Sequence, residues 1–351
     1  MGSKRRVAQI GPCGQGGVNT MIETIMNADF GEDYCFIRII TSGRGNGISD
    51  YCKALLEIKK IKKEVDIAHI HMASRGSFIR KSIIIMYLSR KRIPIVLHLH
   101  GAKFREYYQG SSRVWRHFIK RIFTLCDSII MLTDDWLPFA QTLCIEKKTK
   151  IIPNFTTIPQ GNYHKEDGVF NILFLGRLGR RKGTYDLILA IEKLIKEKGI
   201  TGLNVVLAGD GDVEAIQQLI CSKGLSEIIH ITGWIDGSKK NQLLAECNMV
   251  VLPSYFESFG LSLIEGMSYE KPVIGTNAGS IPNVVNDKED GFLINAGDIG
   301  DLSEKIYLLY SNKELREKMG RNARNHAIKK YSEVSFRSEL ESVYNNILNR
   351  E

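Results

Sequence analysis

Residues 254–280 constrain this chain more than any other stretch. They read Ser-Tyr-Phe-Glu-Ser-Phe-Gly-Leu-Ser-Leu-Ile-Glu-Gly-Met-Ser-Tyr-Glu-Lys-Pro-Val-Ile-Gly-Thr-Asn-Ala-Gly-Ser. An apolar run, Asn248 to Pro253, enters the stretch as a short buried strand. Phe259, Leu261, Leu263, Ile264 and Met267 then recur at helical spacing, which predicts a helix beginning near Gly260. Pro272 to Gly275 reads as the next strand. The result is a βαβ unit with one carboxylate, Glu257, in its loop and a second, Glu265, inside its helix. The amides of Gly260 and Leu261 at the helix start favour a phosphate, and glycine there lets a ligand approach the backbone. Glu265 can accept both hydroxyls of a ribose, and Glu257 can accept hydroxyls of a second ring beyond the phosphates. A nucleoside diphosphate carrying a sugar satisfies all three features.

Two glutamates at this spacing are by themselves weak, because any surface helix can carry them. The full run Glu257-Ser-Phe-Gly-Leu-Ser-Leu-Ile-Glu-Gly-Met267, followed by Pro-Val-Ile-Gly-Thr276, is far more specific. It resembles the Glu-x7-Glu motif of retaining GT-B glycosyltransferases, family 4 in particular. The resemblance implies an α/β fold of two Rossmann-like doubly wound domains facing a cleft. The expected domains are residues 1–160, joined by a C-terminal helix at about 335–351, and residues 168–334, with a polar, aperiodic linker at 160–168.

Composition agrees with that size and class. The chain has 351 residues, 43% hydrophobic and 25% charged, enough for two globular domains. Seven scattered cysteines, none spaced Cys-x-x-Cys, point to a reducing cytoplasm, buried thiols and no zinc site. No secretory leader opens the sequence, and no apolar run reaches the ~20 residues of a membrane span. The net charge of +9 is unevenly placed. Residues 1–160 carry 25 Lys/Arg against 13 Asp/Glu, and residues 161–351 carry 23 against 26. A basic first half calls for an anionic partner: membrane lipid, a lipid diphosphate or nucleic acid.

In chain order, a strand ends in Gly11-Pro-Cys-Gly-Gln-Gly-Gly17 and a helix follows. The spacing is neither a dinucleotide fingerprint nor a Walker A loop. It resembles the first glycine loop of the GT-B fold, which places Gly16 and Gly17 near the donor diphosphate or the acceptor. The strand with His69 and His71 reads as buried, its imidazoles hydrogen-bonded locally. Arg75 to Arg92 sets basic residues around an apolar stretch, as a helix on an anionic membrane does and as a core helix with solvated ends also does. Lys103 to Phe123 mixes cations with aromatics, a pattern shared by lipid-phosphate and single-strand nucleic-acid binders. No nucleic-acid motif accompanies it. Ile93 to Gly101 is an apolar strand, and by resemblance His100 at its end places an imidazole beside the sugar. His98 is expected to point to the opposite face and pack.

In the second half, Phe170 to Gly176 starts a second sheet, followed by Arg177-Leu-Gly-Arg-Arg-Lys-Gly183. This resembles the family's Gly-Arg-Leu…Lys-Gly signature and puts Arg177 and Lys182 on the diphosphate, with Arg180 and Arg181 solvated. Asp210-x-Asp212 is expected to form a turn and not to hold a metal. Gly233 resembles the base-binding edge, and Trp234 beside it either stacks on the base or fills space.

The implied reaction is retaining, metal-independent transfer of a sugar, needing no cofactor, from a nucleoside-diphosphate sugar, UDP favoured over GDP, to a saccharide hydroxyl. His100, Glu257, Arg177 and Lys182 are expected at the chemistry. Gly16, Gly17, Gly233, Phe259, Gly260, Leu261 and Glu265 join Arg177, Lys182 and Glu257 in the donor site. A lipid-diphosphate-linked acceptor in bacterial O-antigen, capsule or exopolysaccharide assembly fits the basic first half. Such an enzyme would be cytoplasmic and peripheral on the membrane's inner face. Two other readings remain open at this point: a non-catalytic nucleotide or membrane adaptor, which turnover excludes, and a dinucleotide-dependent oxidoreductase, which NAD binding would reveal.

Overall fold

Short runs of Val, Ile and Leu bounded by glycine or polar residues become parallel strands, and the periodic segments between them become helices. The computed structural model describes residues 4–14, 17–43, 47–61, 64–73, 75–101, 103–161 and 168–349. The chain divides into two units, Met1–Asn154 with Val334–Glu351, and Phe155–Glu333. Of the linker expected at 160–168, residues 162–167 lie outside the described residues.

The first unit holds strands β1 (Arg5–Gly11), β2 (Tyr34–Ile40), β3 (Ile67–Met72), β4 (Ile95–Leu99), β5 (Ser128–Met131) and β6 (Thr149–Ile151). They form one parallel sheet in the order β2-β1-β3-β4-β5-β6. Every residue of β3, β4 and β5 is buried, as a parallel sheet covered on both faces requires. The helix Glu333–Leu348 packs on this unit: Tyr344 is fully buried, and Arg337 donates to the Asp29 carbonyl.

Two sequence expectations for this unit change. The helix Gly76–Arg90 buries Phe78, Ile84, Ile85 and Leu88, and also Lys81, whose Nζ donates to Thr41 Oγ1. Burial holds the Lys81 pKa down at about 7. Lys81 is therefore an interior group and no part of a cationic rim, although Ile79 and Ile83 remain exposed. The aromatics of residues 104–123 also turn inward. Phe104, Tyr107, Trp115 and Phe118 each meet Phe78 edge-on, with centroids 5.7–6.1 Å apart, and Trp115 Nε1 donates to Tyr107 Oη at 2.7 Å. They are a packed cluster and not an open stacking platform.

The second unit holds β7 (Phe170–Leu175), β8 (Leu203–Ala208), β9 (Ile229–Gly233), β10 (Met249–Val251), β11 (Val273–Thr276) and β12 (Gly291–Ile294). Their order is β12-β11-β10-β7-β8-β9, again all parallel. The chain runs outward from β7 through β8 to β9, then returns to place β10 on the other side of β7. Right-handed crossovers then put helices on both faces, and the carboxyl ends of β7 and β10 flank the point where winding reverses. Ligands of doubly wound sheets bind at such a point.

All seven cysteines are free. Cys126 and Cys247 are buried, but Cys35, Cys52, Cys144 and Cys221 are exposed, so the expectation of buried thiols holds for only part of the set. Among the described residues no helix is long and apolar enough to cross a membrane.

Candidate active site

The expected donor residues of the second unit gather at the β7–β10 reversal. The segment after β7 carries Lys182 in a short 3-10 turn, Arg180–Lys182. The Tyr255 amide donates to the Arg181 carbonyl at 2.9 Å, and Arg181 Nη1 donates to the Phe256 carbonyl at 3.3 Å. These bonds lash the two loops together and bring Lys182 Nζ into an ion pair with Glu257. Both side chains are mostly buried, 15% and 12% exposed, so solvent screens the pair only weakly.

Glu257 is held from the other side by Gly279-Ser280, the turn after β11. The Ser280 amide donates to the Glu257 carbonyl at 3.0 Å. Gly279 has a left-handed φ of 60°, and a Cβ there would stand 2.1 Å from the Glu257 carbonyl oxygen. Only glycine lets the turn close on the loop.

The helix Leu261–Ser268 starts where the apolar spacing placed it. Gly260 is its N-cap, with φ 87°, and no side chain caps its amides. Its amide-bearing end is thus without a side-chain acceptor, the electrostatic setting that favours an anion. Glu265 lies on the same helix, and its carboxylate meets Lys240 Nζ at 2.5 Å. Sequence reading missed Lys240. It lies in the helix Gly237–Glu246, one βα unit earlier, and nothing in the local pattern ties it to Glu265.

Other expected residues are placed differently. Arg177 is 69% exposed and sits 4.0 Å from Asp210, itself 44% exposed, a loose pair worth little. The Asp210–Asp212 turn clasps the loop after β7. The Leu178 amide donates to the Asp210 carbonyl at 2.6 Å, and the Asp212 amide donates back to Leu178 at 3.1 Å. Phe259 is only 1% exposed, edge-on to Tyr331 at 5.7 Å, so its ring belongs to the core and only its backbone is left for a ligand. Gly233 ends β9 and its carbonyl accepts from the Gly209 amide at 2.9 Å, while Trp234 beside it is 55% exposed. Gly17 opens the helix Gly17–Asn27 of the first unit, and Gly16 lies outside the described residues.

His100, also in the first unit, belongs to a row of four imidazoles. His69 and His71 project from β3, and His98 and His100 from β4 and its end. His98 and His100 stack with centroids 4.1 Å apart, which corrects the expectation that they face opposite ways. Residues two apart on a strand share a face, so alternation itself dictates this outcome. Burial holds all four pKa values down, His69 and His100 to about 3 and His71 and His98 well below the ordinary imidazole value. Candidate metal-binding atoms of His69, His71 and His98 lie within 4.8 Å of one another. The His69 ring stacks on His71 at 18° and on His98 at 15°. His69 Nε2 lies 3.3 Å from His98 Nδ1 and His69 Nδ1 lies 2.7 Å from Tyr344 Oη, so these ring nitrogens already have partners and metal binding would require them to give those bonds up.

Comparison with known proteins matches this arrangement to a family. Residues 158–326 fit the family model "Glycosyl transferases group 1", which spans the whole constellation from Lys182 to Gly279. The second unit carries the group 1 glycosyltransferase domain. It is 29% identical over 279 residues to an uncharacterised glycosyltransferase of Methanocaldococcus jannaschii, covering 76% of this chain and 72% of that protein. It is 27% identical over 289 residues to the O-antigen chain mannosyltransferase C of Escherichia coli, covering 78% and 73%. Among solved structures, Anabaena HepE in complex with UDP and glucose superposes with a TM-score of 0.75 over 97% of this chain and 100% of that one, at 18% identity. That last likeness is one of fold, GT-B in both.

In this glycosyltransferase the Ser254–Ser280 stretch thus brings Lys182, Glu257, Gly260 and Glu265 to one sheet reversal. The first unit adds a cavity of about 330 Å3 lined by Arg75, Lys103, Glu106, Tyr107, Gly110 and Ser111. Its lining holds two cations, one carboxylate and the hydroxyls of Tyr107 and Ser111.

Proposed function

We propose that the enzyme moves a hexose, with retention and without a metal ion, from a UDP-sugar to a hydroxyl of a lipid-diphosphate-linked saccharide in bacterial surface-polysaccharide assembly. The observation that carries the donor half is the Lys182–Glu257 pair beside the uncapped helix start at Gly260, with Glu265 further along the same helix. The donor's β-phosphate joins Glu257 on Lys182, and the ribose takes Glu265 from Lys240. Arg177, largely exposed, turns onto the phosphates.

As the glycosidic bond to the leaving phosphate breaks, negative charge grows on the β-phosphate. Lys182, Arg177 and the Gly260 and Leu261 amides stabilise it. The acceptor hydroxyl attacks the anomeric carbon from the same face, and its proton passes to the departing phosphate. Glu257 holds the sugar hydroxyls, and His100 keeps the sugar-facing role that the family resemblance gives it. UDP is preferred over GDP in this reading because HepE, of the same fold, binds UDP.

Calorimetry with UDP, GDP and NAD in EDTA tests the donor site. UDP is expected to bind with a Kd on the order of micromolar. Glu265→Ala should weaken it about tenfold or more, as the loss of hydrogen bonds to a charged group does. Binding of neither diphosphate, or of NAD alone, would sink the proposal. The membrane part rests on the basic first half and is tested by vesicle flotation. Recovery should be higher with anionic than with neutral vesicles and should fall with salt, and equal recovery would remove that part.

A further inference from the structure

The imidazole row of the first unit is wired to a single amide. Gln9 on β1 is fully buried, and His69, His71 and His98 are equally closed, while His100 at the end of the row keeps 9% exposure. His71 Nε2 lies 2.7 Å from Gln9 Oε1, and His71 Nδ1 lies 3.0 Å from His100 Nε2. The other end of the amide is occupied, since Gln9 Nε2 donates to Tyr344 Oη at 3.3 Å.

These contacts fix where the protons sit. A carbonyl oxygen can only accept, so the His71 nitrogen facing Gln9 carries the proton. A neutral imidazole has one such proton, which leaves His71 Nδ1 as an acceptor. His100 Nε2 must then donate to it, so the proton of His100 points inward. Its Nδ1 is left bare and has no partner among the described residues.

We infer that Gln9, acting through His71, sets the tautomer of His100, so that His100 meets its ligand with the Nδ1 lone pair and accepts a hydrogen bond from a hydroxyl. Gln9 is a positioning residue, because its side chain bonds the row and Tyr344 and is closed off from any ligand. A bare lone pair repels phosphate and carboxylate oxygens, so the same wiring makes this edge selective for a sugar hydroxyl over an anionic oxygen. The ligand half of the inference rests on the sugar-facing role of His100 proposed above. The tautomer half stands on the ligand-free protein alone.

Nitrogen-15 NMR of the full-length, histidine-labelled protein reads the tautomer directly, with signals assigned by single His→Gln substitutions. His100 is expected as the Nε2–H form at neutral pH. Gln9→Met, close in volume, removes the acceptor and should turn that single form into a mixture. The same variant should raise the KM for the nucleotide sugar about three- to tenfold, the size of one lost neutral hydrogen bond, with kcat changed less. An Nδ1–H form at His100 in the wild type overturns the inference even if Gln9→Met fails to fold. So does a His100 spectrum that Gln9→Met leaves unchanged. An altered tautomer with unaltered KM and kcat overturns the hydroxyl contact, and with it the placement of His100 at the sugar, while the relay from Gln9 stands.

Discussion

Lys182→Ala is expected to lower kcat/KM for the nucleotide sugar by about 10²–10³, with a much smaller loss in UDP affinity. The difference follows from when charge appears. In the proposed ground state the helix start and Arg177 already meet the diphosphate. The extra negative charge on the β-phosphate develops only as the sugar departs, and a preorganised donor aimed there contributes about 10²–10³ in rate. Lys182 is preorganised because the bonds from Tyr255 and Arg181 fix its loop and the Glu257 carboxylate fixes its ammonium. Lys182→Arg should recover only part of the rate, since a planar guanidinium cannot take the place of a compact ammonium between a carboxylate and a phosphate. Glu257→Gln combined with Lys182→Ala should cost less than the product of the two single losses, because the residues position each other. Steady-state kinetics beside calorimetry separates these effects. A loss of less than about tenfold, or one carried wholly by UDP affinity, would contradict an electrostatic role in the bond-breaking step.

Much of this site was legible in the sequence because it is local. Glu257, Gly260 and Glu265 fall within one loop and one helix, and apolar spacing alone starts that helix near Gly260, which the structure makes its N-cap. The strands around it are short aliphatic runs that can only be buried, so two parallel sheets follow. The features that escaped are those that need a partner from elsewhere. Lys240 reaches Glu265 from another helix, and no periodicity records that meeting. Lys81 reads as one more cation in a basic helix, and only the packing of that helix shows its ammonium turned inward to Thr41. Phe259 has the spacing of a site residue and of a core residue at once, and Tyr331, far along the chain, decides for the core. His98 is a different case, because the two-residue alternation of β4 was enough to place it beside His100. The row as a whole needed the register, which sets β3 against β4, and the final helix, which brings Tyr344 to within 2.7 Å of His69.

The same row predicts acid sensitivity confined to the first unit. Its imidazoles are neutral in the folded state because burial opposes their charging. The other groups that act on them are one another and, at His71, Arg38, with no carboxylate among them. Their folded pKa values lie below the unfolded value of about 6.5, so between that value and about 3 the unfolded chain binds more protons than the native one. Stability is therefore fully present above about pH 6.5 and falls as the pH drops through that window. At pH 5 each imidazole whose folded pKa is about 3 removes roughly 2 kcal/mol, and several together can exhaust the stability of a domain of ordinary size. Urea titrations at pH 7.5 and pH 5, followed by tryptophan fluorescence, should show an early transition appear at the lower pH. Trp115 and Trp136 report on the first unit, whereas Trp234 in the second should unfold later. His98→Leu should shrink the pH dependence, because it removes one buried imidazole whose Nε2 has no hydrogen-bond partner, at the cost of the 3.3 Å contact between His98 Nδ1 and His69 Nε2. A midpoint that stays constant from pH 7.5 to 5, or one that His98→Leu leaves equally pH-dependent, would mean that the row takes up its protons in the native state at no cost. The neutral tautomers on which the Gln9 relay depends would then not be the resting form.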